Sequence, residues 1–210
     1  MNGWEGLIPK LSAGLASQYT DSSDLAAGSM TAPTLLERQL VKTVILFRHA
    51  KSDWNASFGS DHERPLAERG RQAANRMGRF LAQRGEVPEL AIASTALRAR
   101  DTLDRAVRAG DWSCEVELRD DLYLPAPDGL LGVLHQQSEP LTSVMLVGHE
   151  PAWSETLSLL VGGGEFRLPT AAMARVDVAV DRWEEVEFGL GELRWLVTPK
   201  ELTEPRGLGE

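Results

Sequence analysis

Residues 42–49 read KTVILFRH, and this stretch decides the architecture. Thr43 to Phe47 form a short β-branched and apolar run without polar alternation, the pattern of a strand covered on both faces. The run breaks abruptly into Arg48 and His49, so a polar pair stands at the strand's carboxyl end. Two later segments repeat the design. ELAIAS (89–94) runs into TALRAR, and SVMLVG (143–148) runs into His149.

The segments between these runs carry helical spacing. After Pro65, LAERGRQAANRMGRFLAQRG places Ala73, Met77, Phe80 and Leu81 on one face and stops at Gly85. TALRARDTLDRAVRAG predicts a helix with Leu103, Ala106 and Val107 inward. Asp128 is placed to cap a helix carrying Leu130, Leu131 and Leu134. Pro151 opens another, with Leu157, Leu160 and Val161 inward and a Gly-Gly-Gly stop. VELRDDLYL reads as a short strand and turn, and the tail reads as two strands, MARVDVAV and ELRWLVTP. Strand alternating with helix predicts an α/β fold: three layers, α/β/α, around a mostly parallel central sheet.

Composition bounds the function. The 210 residues suit one large domain; 42% are hydrophobic and 25% charged, so a packed core is expected. The formal charge of -9 argues against nucleic acid as a partner, because phosphate-backbone affinity rests on clustered Lys and Arg. An anionic substrate must then be held by a local cationic pocket. The single cysteine, Cys114, excludes an internal disulfide and reads as a half-buried strand residue. No apolar run approaches the ~20 residues that cross a bilayer. The N-terminus lacks a basic start followed by an apolar stretch, so no membrane association and a cytoplasmic location are expected. Residues 1–40 are rich in Gly, Ser and Ala and read as a poorly ordered extension, with the domain spanning 41–210. Met30 offers a second start, and Trp4, Leu7 and Leu11 offer an alternative reading of that segment as a partner-binding arm.

In open α/β sheets ligands bind beyond the carboxyl ends of the strands. Arg48, His49, Arg98 and His149 all follow strand ends, and their convergence suits phosphoryl transfer. Guanidinium forks match phosphoryl oxygens, and a neutral imidazole attacks phosphorus. His49 is the expected nucleophile, and His149, protonated beside an anion, a further donor. The arginines supply the positive charge, so neither metal nor cofactor is expected. The DHER run at 61–64 lacks ligand spacing on a defined element, and His62 and His135 read as surface residues.

RHAKSDWN, STALRARDT and VGHEP, in this order, resemble the signatures of the histidine phosphatase superfamily, the branch shared with phosphoglycerate mutases. RHAKSDW, the Arg-Pro-Leu followed by Glu and Gly, and DLYL are similar to the SixA-type phosphohistidine phosphatases. The resemblance runs from about Lys42 into the 160s. It implies that Arg48, His49, Arg98 and His149 form the catalytic core, with Asn55 as a supporting phosphate contact. It implies a phosphatase acting through a covalent phosphohistidine, with a phosphohistidine protein or a small phosphometabolite as its partner. Two alternatives are a phosphoglycerate mutase-like phosphotransferase and a phosphate-binding module without turnover. The departure from the family is the general acid. Its candidates, Glu117, Asp120 and Asp121, sit in no recognisable motif, and a phosphoramidate leaves readily with little protonation.

Overall fold

The computed structural model describes residues 41–202. The expectations placed on residues 1–40, including Met30 and the arm of Trp4, Leu7 and Leu11, lie outside the described residues.

The apolar runs form the strands: β1 (Lys42–Arg48), β2 (Leu90–Ser94), β3 (Glu115–Arg119), β4 (Ser143–Gly148), β5 (Met173–Val178) and β6 (Gly191–Val197). The helices are α1 (Glu68–Gln83), α2 (Leu97–Gly110), α3 (Pro127–His135) and α4 (Ala152–Leu160). One sheet runs in the order β3-β2-β4-β1-β5-β6. The β1/β4, β4/β2 and β2/β3 pairs are parallel, and β5 and β6 add antiparallel. The sheet is therefore mostly parallel, with an antiparallel extension at one side.

Side-chain alternation along β1 explains the three layers. Ile45 and Phe47 face α1 and α2, packing with Met77, Leu81, Leu103 and Ala106. Val44 and Leu46 face α3 and α4, packing with Leu130, Leu134, Trp153, Leu157 and Leu160. A strand apolar on both faces fits only between two helical layers, as its sequence predicts.

Several local expectations shift by a residue or so. On α1 the buried positions are Gly70, Ala74, Met77, Gly78 and Leu81 rather than Ala73 and Phe80. The reason is the close crossing of α1 and α2: a Cβ on Gly78 would stand 2.2 Å from the Ala106 carbonyl oxygen, so the helices meet on small residues. Asp128 lies inside the first turn of α3, where its charge suits the helix dipole, while Ala126 takes the cap position. Val107 and Val161 are only partly buried. Cys114 sits one residue before β3. Burial pushes its thiol pKa up, which suits an inert thiol. No helix among the described residues is long and apolar enough to cross a membrane.

Candidate active site

The strand order makes β2, β4 and β1 consecutive neighbours, and their carboxyl ends open on one point. Arg48 and Gly148 are register partners across the parallel β1/β4 pair. The residues that follow them, His49 and His149, therefore leave the sheet side by side. The His49 N–H donates to the Gly148 carbonyl (2.9 Å), extending the ladder by one step. The two imidazole centroids lie 5.0 Å apart. Arg98 enters from the first turn of α2, directly after β2. The structure thus brings together four side chains that are separated by up to 101 positions in the sequence.

His49 is 8% exposed and its Nδ1 lies 2.8 Å from the Ala50 carbonyl oxygen. A carbonyl only accepts, so Nδ1 carries the proton and the Nε2 lone pair of the neutral ring is bare. Ala50 is itself fixed, because its N–H donates to Thr102 Oγ1 at 2.9 Å. Thr102 lies one turn along α2 from Arg98 and donates its hydroxyl to the Arg98 carbonyl. One helical face therefore holds both an arginine and the clamp that orients His49. Burial, reinforced by the charges of His149, Arg98 and Arg48, pushes the His49 pKa down to about 3. Burial and then Arg98 do the same to His149, also to about 3. Both rings are neutral near pH 7.

The cations are held by main-chain oxygens and by one carboxylate. Arg48 Nη1 donates to the Leu168 carbonyl (2.7 Å), and burial lowers its pKa from the usual arginine value while Glu150 opposes the shift. Arg98, 3% exposed, donates to the Asp61 carbonyl oxygen (2.7 Å) and pairs with Asp61 Oδ2 (3.0 Å). His149 Nε2 is 3.0 Å from Ser94 Oγ, at the end of β2. Three buried nitrogens in this cluster make no hydrogen bond: Nε of Arg48, Nε of Arg98 and Nδ1 of His149. Buried polar atoms are normally satisfied, so three orphans around one imidazole mark a place built for an acceptor-rich group. Behind His149, Gly148 has no room for a side chain, since a Cβ would meet the Trp153 ring at 2.1 Å.

Not every expected residue joins the cluster. Asn55 is exposed in the loop after β1, and its one described interaction is its own N–H with Asp53 Oδ1 (2.9 Å). Glu117 is exposed on the edge strand β3, and Asp121 is paired with Arg119. His135 is exposed and bonds the Val186 carbonyl. His62 departs from its surface reading. It is half-buried, 3.0 Å from Thr95 Oγ1, and edge-on to Tyr123, which is in turn edge-on to His149. Ser94, Thr95 and Thr102 lie in STALRARDT and Tyr123 in DLYL, yet no role is legible for them there, because hydroxyls acquire these roles only through contacts 25 or more positions away.

Comparison with known proteins bears on family and fold. Residues 44–123 match the model of the histidine phosphatase superfamily (branch 1). The chain is 31% identical over 191 residues to an uncharacterized chloroplastic protein of Arabidopsis thaliana, covering 84% of each. Among solved structures it resembles proteins assigned as SixA phosphohistidine phosphatases. The one from Nakamurella multipartitia is 28% identical, with a TM-score of 0.64, covering 76% of this chain and 96% of that one. The one from Agrobacterium tumefaciens is 29% identical, also with a TM-score of 0.64, covering 75% and 98%.

Proposed function

The chain belongs to the histidine phosphatase superfamily, in its SixA-type branch, and is a phosphatase; from that premise we propose that it hydrolyses a phosphohistidine or a small phosphomonoester through a covalent phosphohistidine on His49. The observation that carries this reading is the bare Nε2 of a neutral His49 among three buried nitrogens without partners, on Arg48, Arg98 and His149. A phosphoryl group offers acceptor oxygens to all three at once.

The roles follow from the atoms. His49 Nε2 attacks phosphorus, and the leaving group departs with the electron pair of the broken bond. Arg48 and Arg98 hold the equatorial oxygens, whose charge is redistributed as the bond breaks. In this reading the Ser94 hydroxyl, 3.0 Å from His149 Nε2, donates to it and leaves the ring proton on Nδ1 as a donor to the phosphoryl group. Water then attacks the phosphohistidine, releasing phosphate and restoring His49. In this reading Asn55 contacts phosphate only if its loop closes inward. The acidic body, with a formal charge of -9, suits small phosphates or compact phosphoprotein surfaces rather than polyanions.

Incubation with p-nitrophenyl phosphate followed by rapid quenching tests the mechanism. Base-stable, acid-labile phosphate is expected on His49, and His49→Ala is expected to lose about 10³-fold or more in kcat. Full activity in that variant removes the mechanism. A side-by-side assay of a phosphohistidine protein and a panel of phosphometabolites then selects the substrate.

A further inference from the structure

A second hydrogen-bonded chain stands beside the four-residue cluster, and it ends on an imidazole. Thr95 Oγ1 donates to Asp120 Oδ1 and lies 3.0 Å from His62 Nε2. The threonine hydroxyl has one proton, and an ionised carboxylate can only accept it. The Thr95 oxygen must therefore accept from His62 Nε2–H. The proton on Nε2 is fixed, and Nδ1 becomes the position where a proton can come and go. His62 is within one aromatic ring of the cluster, through Tyr123. Its chain neighbour Asp61 grips Arg98.

The carboxylates nearby are engaged elsewhere. Burial opposes it, but the hydrogen bond from Arg64 and the charges of Arg98 and Arg64 hold the Asp61 carboxyl below its usual range. The Arg119 hydrogen bond holds Asp121 low in the same way. Glu150 accepts from Ser154 and stands in the field of Arg48. Asp61 and Asp121, kept ionised, are poor proton donors.

We propose that His62, oriented by Thr95 and Asp120, is the proton shuttle of this site and fits it to phosphomonoesters of ordinary alcohols, whose leaving groups need a proton. This rests on the His49 mechanism. In the first half-reaction the His49 Nε2 lone pair forms the N–P bond. The P–O bond to the substrate alcohol breaks, its electron pair stays on that oxygen, and the oxygen takes the Nδ1 proton of His62. In the second, water forms the new P–O bond and gives one proton to His62 Nδ1, while the P–N electron pair returns to His49. The sum is ester plus water giving alcohol plus phosphate. Thr95 and Asp120 are positioning residues, since they act through the imidazole.

The test is the leaving-group dependence of kcat/KM, which reports the first half-reaction alone. Glycerol phosphate supplies a poor leaving group and dinitrophenyl phosphate a good one. His62→Gln is expected to lose about 10²-fold or more on glycerol phosphate and to stay within about threefold on dinitrophenyl phosphate, with thermal unfolding unchanged. Thr95→Val and Asp120→Asn are expected to show smaller losses with the same selectivity. Equal losses on both substrates, or none, overturn the proposal. So does a selective loss in Asp120→Asn while His62→Gln is unaffected, which makes Asp120 itself the donor. His49→Ala separates the two levels, because it is expected to abolish turnover of both esters. Full activity in that variant overturns the nucleophile and the shuttle that depends on it, whereas the failures above leave the nucleophile standing.

Discussion

The Ala50 carbonyl lies 2.8 Å from His49 Nδ1 and so decides which nitrogen of the imidazole is nucleophilic. With the ring proton committed to a neighbouring main-chain oxygen, Nε2 is left with its lone pair. The same contact fixes the ring's rotation. Burial then keeps the ring neutral, since a charged imidazole among two guanidinium groups is disfavoured.

Neutrality can be read directly. With both pKa values pushed down to about 3, the Cε1–H resonances of His49 and His149 are expected to stay constant from pH 8 to pH 5 in NMR titrations of the free enzyme. A model histidine peptide moves through its transition near pH 6.5 over that range. A transition near neutrality for His49 contradicts the burial argument.

Fold stability carries the same signature. Between pH 6.5 and about 3 the unfolded chain protonates these two histidines and the folded chain does not. Their contribution is thus fully present above pH 6.5 and is lost on acidification towards 3. The slope is up to about 1.4 kcal/mol per pH unit for each histidine. Urea unfolding at pH 7, 6 and 5 measures it, and a His49→Asn/His149→Asn variant is expected to show a shallower decline.

Thr102→Val keeps the volume of the side chain and removes its hydroxyl. The buried Ala50 N–H then loses its acceptor, a cost of about 1–3 kcal/mol. Because Ala50 orients His49, kcat is expected to fall about 10- to 100-fold by misplacement of the nucleophile. Thermal unfolding and steady-state kinetics on the same preparation check both effects. A stable variant with unchanged kcat removes the clamp.

Arg98→Lys keeps the charge and loses the fork. Arg98 uses its two terminal nitrogens on Asp61 and has Nε still unpaired, so a single ammonium cannot bridge Asp61 and a phosphoryl group. We expect kcat/KM for p-nitrophenyl phosphate to fall about 100-fold, with weaker inhibition by inorganic phosphate. Wild-type kinetics in this variant would show that charge alone suffices.

Much of the molecule is legible in its sequence. The apolar runs at 43–47, 90–94 and 143–148 announce strands covered on both faces, and each forms one. Arg48, His49, Arg98 and His149 are identifiable because each stands within a few residues of the carboxyl end of such a run. Asn55 was picked by motif likeness, and the structure leaves it outside the cluster, since no strand end directs that loop residue inward. Within a DHER run that lacks ligand spacing, His62 reads as a surface residue. Its partners are Thr95, just after β2, and Tyr123, after the short helical turn that follows β3, and neither carries a periodic signal.

By itself the sequence determined the layers, the strand ends and the types of side chain presented there, because hydrophobic periodicity and abrupt polarity changes are local properties of a chain. Tertiary structure alone decided which strands are neighbours. The order β2-β4-β1 sets His49 against His149 and Ser94 against His149. It also decided which nitrogen keeps its proton and which pKa values fall, since hydrogen-bond partners and burial depend on atoms distant in sequence and close in space.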